Sequence, residues 1–227
     1  MAIDLVRMAL AHDHGENGDE ATERILDAAL GQFEDFGLRR STMEDIARRC
    51  GMSRITIYRR FPKKENLIEA VLLRELRSFL DCLLTVGEDG LSAEGKMVER
   101  VAFALQYLRN HLLLRRLLRT EPESILPSLT VSGGPVVDTA REYVAALIRA
   151  DLFGSRTPPA EAERHVQILA ELGVRIVLSF ILTPSSAIPM ETLDDARAFA
   201  SDLITPVHAS VLSEMARASA EKIGTEA

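Results

Sequence analysis

The sequence predicts an all-α fold in which a small N-terminal domain of three helices, containing a helix-turn-helix, precedes a larger helical C-terminal domain. Apolar residues recur at spacings of three and four from about residue 19 to residue 216, which is the period of an amphipathic helix. No segment shows the sustained alternation of apolar and polar residues that predicts a half-buried strand. Glycine, proline and capping residues separate the periodic segments and divide the chain into individual helices.

The first predicted helix begins after Asp19 and ends at Gly37. Ile25, Ala29 and Phe33 recur every four residues and define its apolar face. The carboxylate of Asp19 can accept a hydrogen bond from a free backbone N–H of the first turn. Gly37 can adopt the positive φ with which many helices end.

A second helix is predicted between Thr42 and Gly51. Thr42, followed three residues later by Asp45, matches the pattern of a capping box. The apolar residues of this helix share one face, and they are Met43, Ile46, Ala47 and Cys50. Gly51 permits the tight change of direction that joins this helix to the next one.

A third, shorter helix is predicted to start at Ser53, a good N-cap, and to stop before Pro62. Ile57 and Phe61 are four residues apart, so both should face the core. The opposite face then carries Arg54, Ile55, Tyr58 and Arg59, with Thr56 near its edge. Bulky apolar side chains among exposed arginines are unusual for a helix that meets only water.

The charge of the chain is unevenly distributed. The 227 residues carry a net charge of −7, yet residues 37–64 contain nine basic and two acidic residues, a net +7. The remainder of the chain therefore carries a net −14. A concentrated basic segment on an acidic body is the electrostatic pattern of a protein that binds DNA.

The spacing of the second and third helices predicts a DNA-binding helix-turn-helix, whose third helix enters the major groove. Arginine can donate two hydrogen bonds to guanine, and apolar atoms can contact a thymine methyl group. Short or positive groups at helix starts are suited to phosphates. The predicted DNA-binding residues are Arg40, Thr42, Ser53, Arg54, Ile55, Thr56, Tyr58, Arg59 and Lys64.

The rest of the chain is also predicted to be helical. A fourth helix opens at Lys63 and Lys64 and continues through Phe79. Further helical segments are predicted at about 98–118, 136–152, 160–182 and 192–216, with a proline- and glycine-rich loop between the first two. This pattern predicts a flexible tail at 1–18, a DNA-binding domain at 19–64 and a larger helical domain at 65–227.

The N-terminal segment strongly resembles the tetracycline-repressor (TetR) family over residues 19–67. The matching residues are Ile25, Leu26, Ala29, Phe33 and Gly37, then 41–43, 45–47, 51–53, 56–58 and 61–67. The resemblance implies that Thr42, Arg54, Ile55, Thr56, Tyr58, Arg59 and Lys64 contact DNA. It also implies that residues 65–227 form an effector-binding and dimerisation domain. The homodimer would be formed by the last two long helices, although both helices could instead be internal core.

The resemblance further implies a small-molecule effector and a palindromic operator from which the effector releases a repressor. Aromatic residues in the apolar C-terminal helices are the candidate ligand contacts: Phe103, Tyr107, Tyr143 and Phe180. These residues favour a small and largely apolar effector, and the alternative is that they are simply core residues. No cofactor and no metal site is expected.

Three other functions fit the sequence less well. An enzyme is disfavoured because the sequence has no nucleophile elbow, phosphate loop or cluster of metal ligands. A DNA-binding architectural protein would lack an effector cavity, and a family member that has lost DNA binding would lack the intact caps, Tyr58 and Lys64. The longest nearly apolar run, Ile176 to Leu182, is too short to span a bilayer, and no signal peptide is recognised, so a cytoplasmic protein is expected.

Overall fold

The computed structural model describes residues 19–87 and 90–206. The regular secondary structure of these residues is entirely helical, which confirms the predicted all-α fold. Nine helices have both ends in this part of the chain: α1 Glu20–Arg40, α2 Met43–Cys50, α3 Arg54–Arg60, α4 Lys64–Thr85, α5 Ala93–Asn110, α6 Leu112–Thr120, α7 Pro122–Leu129, α8 Gly134–Phe153 and α9 Ala160–Leu182. A further helix, α10, begins at 193 and is helical through 206. The tail predicted at 1–18 lies outside the described residues.

The chain forms two compact units. Among the described residues, the first unit comprises 19–81 and 110–139, and the second comprises 82–87, 90–109 and 140–206. The first unit therefore contains α6 and α7 in addition to the three N-terminal helices. Leu113 and Leu117 of α6 are almost completely buried in the same core as Ile25 and Phe33 of α1. The sequence-based domain boundary at residue 64 did not include these later helices.

One apolar core holds the helix-turn-helix in place. Phe33, Ile46, Ile57 and Leu67 have no exposed surface, and they come from four consecutive helices, α1 to α4. Full burial of side chains of this size contributes about 1.5–3 kcal/mol each to folding. The position of α3 is thus fixed by apolar contacts on its inner side.

The second unit is packed around small residues. Ala145, Ala170 and Ala200 are fully buried, each on a different helix, and they let α8, α9 and α10 approach closely. A neighbouring cluster contains Leu105 and Met190. The same unit contains ion pairs between helices, such as Arg149–Glu163 at 2.9 Å.

Two predicted elements are wrong. The segment expected to be helical over 98–118 is broken at His111, whose imidazole Nδ1 accepts a hydrogen bond from the Leu114 N–H at 3.3 Å and caps α6. The loop expected around Pro122 and Pro127 contains α7 instead. Pro122 lies in the first turn, where a missing N–H leaves no bond unmade, and Pro127 removes only one bond from a short helix.

The helical period of α1 is interrupted at Gly37, where the sequence predicts the helix to end. Gly37 has the expected positive φ, 84°, with a ψ of 170° that differs from the usual left-handed helix end, and a short helical stretch continues across this kink to Arg40. The Ser41 hydroxyl donates to the Gly37 carbonyl at 2.6 Å, and the Glu121 carboxylate accepts the Arg39 N–H at 3.2 Å. These side chains from outside α1 stabilise the kinked continuation.

Candidate nucleic-acid interface

The start of α2 is fixed by a reciprocal capping box. The Thr42 hydroxyl accepts the Asp45 N–H at 3.1 Å, and the Asp45 carboxylate accepts the Thr42 N–H at 3.3 Å. The hydrogen bond from the Thr42 side chain lowers the pKa of Asp45. At the other end, Gly51 adopts φ 68° and ψ 27°, the left-handed conformation. Both predicted features of α2 are therefore confirmed.

The orientation of α3 follows from its two faces. Ser53 accepts the Thr56 N–H at 3.2 Å and caps the helix. Ile57 is fully buried and Phe61 is 9% exposed. On the opposite side, Ile55 is 81% exposed and Tyr58 is 40% exposed. The predicted division of α3 into a core face and an outward face is confirmed.

The end of α3 is tied to the start of α1 by Arg60. Its Nη2 lies 2.5 Å from Oδ2 of Asp19, and its Nε donates to the Thr22 hydroxyl at 3.2 Å. The hydrogen bond from Arg60 is the main reason that the pKa of Asp19 lies far below its ordinary value. Sequence reasoning counted Arg60 only as one of many basic residues, because its partner lies 41 residues away.

Several other arginines of the basic segment make internal ion pairs. Arg49 pairs with Asp35 at 2.6 Å, Arg48 pairs with Asp45, and Arg54 pairs with Glu44. In the described part of the chain, Arg40, Arg59 and Lys63 make no ion pair. Glu44 and Asp45 are already subtracted in the net +7 of residues 37–64, but Asp35 is not, so its pair with Arg49 lowers the positive charge available to a nucleic acid below that count.

The predicted DNA-binding residues lie around α2 and α3, which place them on neighbouring elements of the first unit. Thr42 and Ser53 act as caps, and the hydroxyls of Ser53 and Thr56 are 2.9 Å apart. Lys64, at the start of α4, donates to the Arg39 carbonyl at 3.3 Å. The outward face of α3 carries four exposed members of the set: Arg54, Ile55, Tyr58 and Arg59.

The candidate effector contacts form aromatic pairs in the second unit. Phe103 and Tyr107 of α5 have ring centroids 5.4 Å apart. Phe180 of α9 packs edge-to-face on Phe199 of α10 at 5.1 Å, beside the cluster that contains Leu105. Tyr143 of α8 is half-buried. Phe199 was not among the predicted contacts, although it has the helical spacing of an inward residue.

An open groove also lies between α8 and α9. Its lining is mixed in charge, and the residues are Arg141, Glu142, Arg164, Gln167, Ile168 and Glu171. Arg141 pairs with both Glu142 and Glu171, so the charges of the groove compensate one another. This groove does not contain the predicted aromatic contacts.

Comparison with known families matches both parts of the chain. Residues 25–71 match the family described as bacterial regulatory proteins, tetR family. Residues 93–220, more than half of the chain, match the family described as bacterial tetracyclin repressor, C-terminal domain.

Individual relatives are regulators of the same class. The uncharacterized HTH-type transcriptional regulator Rv2250c of Mycobacterium tuberculosis is 31% identical over 114 residues, which cover 50% of this chain and 56% of that protein. The HTH-type transcriptional regulator AlkX of Mycobacterium tuberculosis is 26% identical over 198 residues, covering 82% of this chain and 87% of that protein.

Solved structures share the fold. The TetR family repressor AlkX from Dietzia superposes with a TM-score of 0.56 at 21% identity, over 86% of this chain and all of that chain. A tetR-family regulator from Streptomyces coelicolor superposes with a TM-score of 0.58 at 19% identity, over 90% of this chain and 88% of that chain. With both domains matched in sequence and fold, this chain belongs to the TetR family of helix-turn-helix, DNA-binding transcriptional regulators.

Proposed function

We propose that this regulator is a homodimeric repressor that binds a palindromic operator through α3 and is released by a small, largely apolar effector. The observation that carries the DNA-reading part is the outward face of α3. Ile55 is 81% exposed on a helix whose inner residue Ile57 is completely buried. A large apolar side chain that is held exposed on a firmly packed helix is unfavourable in water. The same side chain can make favourable contacts with a base edge when the helix lies in the major groove.

The outward face of α3 has the chemistry of base recognition. Arg54 and Arg59 offer the paired N–H donors that suit guanine, whereas Ile55 and Tyr58 offer apolar atoms to a thymine methyl group. Thr42, Ser53 and Thr56 carry hydroxyls near the starts of α2 and α3, where phosphates are readily bound. Arg40 and Lys64 would add positive charge toward the DNA backbone.

We infer that dimerisation uses α9 together with α10. Ile168 and Leu172 are four residues apart on α9, and they remain 44% and 48% exposed in the single chain. By length and composition alone, α9 could also cross a membrane. Charged residues such as Glu171 and Arg175, which pair at 2.8 Å, interrupt its apolar surface and favour a second copy of this chain over lipid. We propose a cytoplasmic location, because the operator is there.

Effector binding would act through the second unit. Phe103, Tyr107, Tyr143 and Phe180 supply aromatic surface on α5, α8 and α9. An effector can release the operator only by preferring the conformation that does not bind DNA. Helix α4 follows α3 directly, and the chain passes from the first unit to the second within it, between Asp81 and Cys82. We therefore propose that α4 couples effector binding to the conformation of the DNA-binding helices.

The test is selection of duplexes from a random DNA pool by the purified full chain at near-physiological salt. We expect enrichment of one palindrome whose half-sites are about one helical turn apart, as dimeric helix-turn-helix proteins require. Comparable retention of all sequences would instead identify an architectural DNA-binding protein. No retention of DNA by a folded, effector-free protein would contradict the proposal altogether.

A further inference from the structure

Glu44 and Arg54 form an ion pair across the helix-turn-helix, between the first turn of α2 and the first residue of α3. Tyr58 lies one turn further along α3, with its ring centroid 6.0 Å from Cζ of Arg54. The guanidinium is therefore held between a carboxylate and an aromatic face, both of which attract it. Asp45, the neighbouring acid of α2, is occupied by the capping box and by Arg48.

This ion pair is poorly suited to a purely structural role. The side chains of Arg54 and Glu44 are 61% and 45% exposed, and ion pairs in such positions contribute little to folding. Arg54 also stands on the outward face of α3, beside Ile55. An interaction with little effect on stability can still control how the guanidinium meets DNA.

The geometry of guanidinium permits Arg54 to bind two partners at once. It presents five N–H donors in a fixed planar fork. One edge can stay on the Glu44 carboxylate while another edge donates two hydrogen bonds to O6 and N7 of guanine. A phosphate is less well accepted at the same place, because the Glu44 carboxylate already offsets the positive charge and repels the anion.

We propose that Glu44 is a specificity-determining residue that acts through Arg54, an inference that rests on the proposed reading of DNA by α3. Its carboxylate orients the guanidinium toward a base edge and reduces the attraction of Arg54 for the phosphates of any sequence. Glu44 is thus a positioning residue. It weakens nonspecific binding more than it weakens operator binding.

The experiment measures binding of two DNA probes by the full chain: the duplex enriched by selection and a scrambled duplex of equal length. The variants are Glu44→Gln, Arg54→Ala and the double variant. Glu65→Gln is the matched control, because Glu65 is exposed in the first turn of α4 and is not the ion-pair partner of Arg54. Thermal unfolding of each variant shows whether the fold is retained.

We expect Glu44→Gln to tighten binding of the scrambled duplex by roughly twofold to fivefold, the range of one exposed ion pair. The salt dependence of that binding should steepen by about 0.9 in log–log slope, which corresponds to one additional phosphate contact. The preference for the selected duplex should fall. In the Arg54→Ala background, Glu44→Gln should have no such effect, because the residue through which it acts is gone.

Three outcomes would overturn the inference while leaving the proposed function intact. They are an unchanged preference in Glu44→Gln, an equal effect of Glu44→Gln with and without Arg54, and the same effect from Glu65→Gln. Failure of the unmodified protein to select any sequence is a different result. It contradicts the proposed function, and with it the inference.

Discussion

At the residue scale, three arginines of similar sequence context have three different environments. Arg54 is paired with Glu44, Arg60 is paired with Asp19, and Arg59 makes no ion pair among the described residues. The caps at Thr42 and Ser53 could be predicted because each joins residues only three positions apart. The ion pair of Arg60 could not be predicted, because it depends on where α1 and α3 lie in the folded domain.

Gly37 and Gly51 offer a matched pair for testing two kinds of backbone constraint. Both have positive φ, but their backbone conformations differ. Gly51, with ψ 27°, lies in the left-handed helical region, which costs an alanine about 1–2 kcal/mol, whereas Gly37, with ψ 170°, lies in a region essentially restricted to glycine. A Cβ at Gly51 meets nothing within 4 Å, whereas a Cβ at Gly37 would clash with Oε1 of Glu121. We therefore expect Gly37→Ala to lower the free energy of unfolding clearly more than Gly51→Ala, as measured by urea denaturation. Equal losses would show that neither the backbone conformation of Gly37 nor its contact with Glu121 adds to the cost of a Cβ.

The Asp19–Arg60 ion pair predicts a specific pH dependence. Because Arg60 holds the pKa of Asp19 below its ordinary value of 3.8, the pair stabilises the folded state above that pH. Its contribution is lost as the pH falls through the lower pKa of the folded protein. Asp19→Asn removes the charge but keeps a good N-cap. The free energy of unfolding of the variant should be lower than that of the unmodified protein at pH 7, and the difference should shrink below about pH 4. A difference that does not change with pH would contradict this account.

At the element scale, the sequence predicted helices where an apolar period and a local cap coincide. The bounds of α9, Ala160–Leu182, agree with the prediction, since Pro159 precedes the helix and Pro184 follows it closely. The break at His111 was missed because a histidine cap has no strong sequence signal. The interruption at Gly37 was predicted, but the continuation to Arg40 was not, because Glu121, which accepts the Arg39 N–H, reaches it from the junction of α6 and α7.

The exposed apolar positions of α9 predict the oligomeric state. Leu172→Glu would place a charge at a position that is 48% exposed in the single chain but would be desolvated in the proposed dimer. We expect this variant to be a folded monomer in sedimentation velocity. Val131→Glu is the control, because Val131 is 92% exposed outside α9 and α10, and it should leave a dimer intact. A Leu172→Glu dimer would contradict the proposed interface.

At the scale of the whole molecule, the distribution of charge along the sequence predicted the class of partner. Which helices and rings pack together was not predictable from the sequence. The net +7 of residues 37–64 on an acidic remainder pointed to DNA before any fold was known. The grouping of α6 and α7 with the helix-turn-helix was not predictable, because Leu113 and Leu117 have the same helical period as residues of the second unit. Likewise, the aromatic candidates could be identified as inward-facing, but which rings pair with which depends on packing.

The central claim is that the outward face of α3 reads the operator, and repeating the DNA selection with Ile55→Ala/Tyr58→Ala/Arg59→Ala tests it most directly. These side chains are exposed, so the variant should unfold at nearly the temperature of the unmodified protein. We predict that the unmodified protein enriches one palindrome and that the variant, equally folded, enriches none. Enrichment of the same palindrome by both proteins would show that another surface of the molecule reads the DNA.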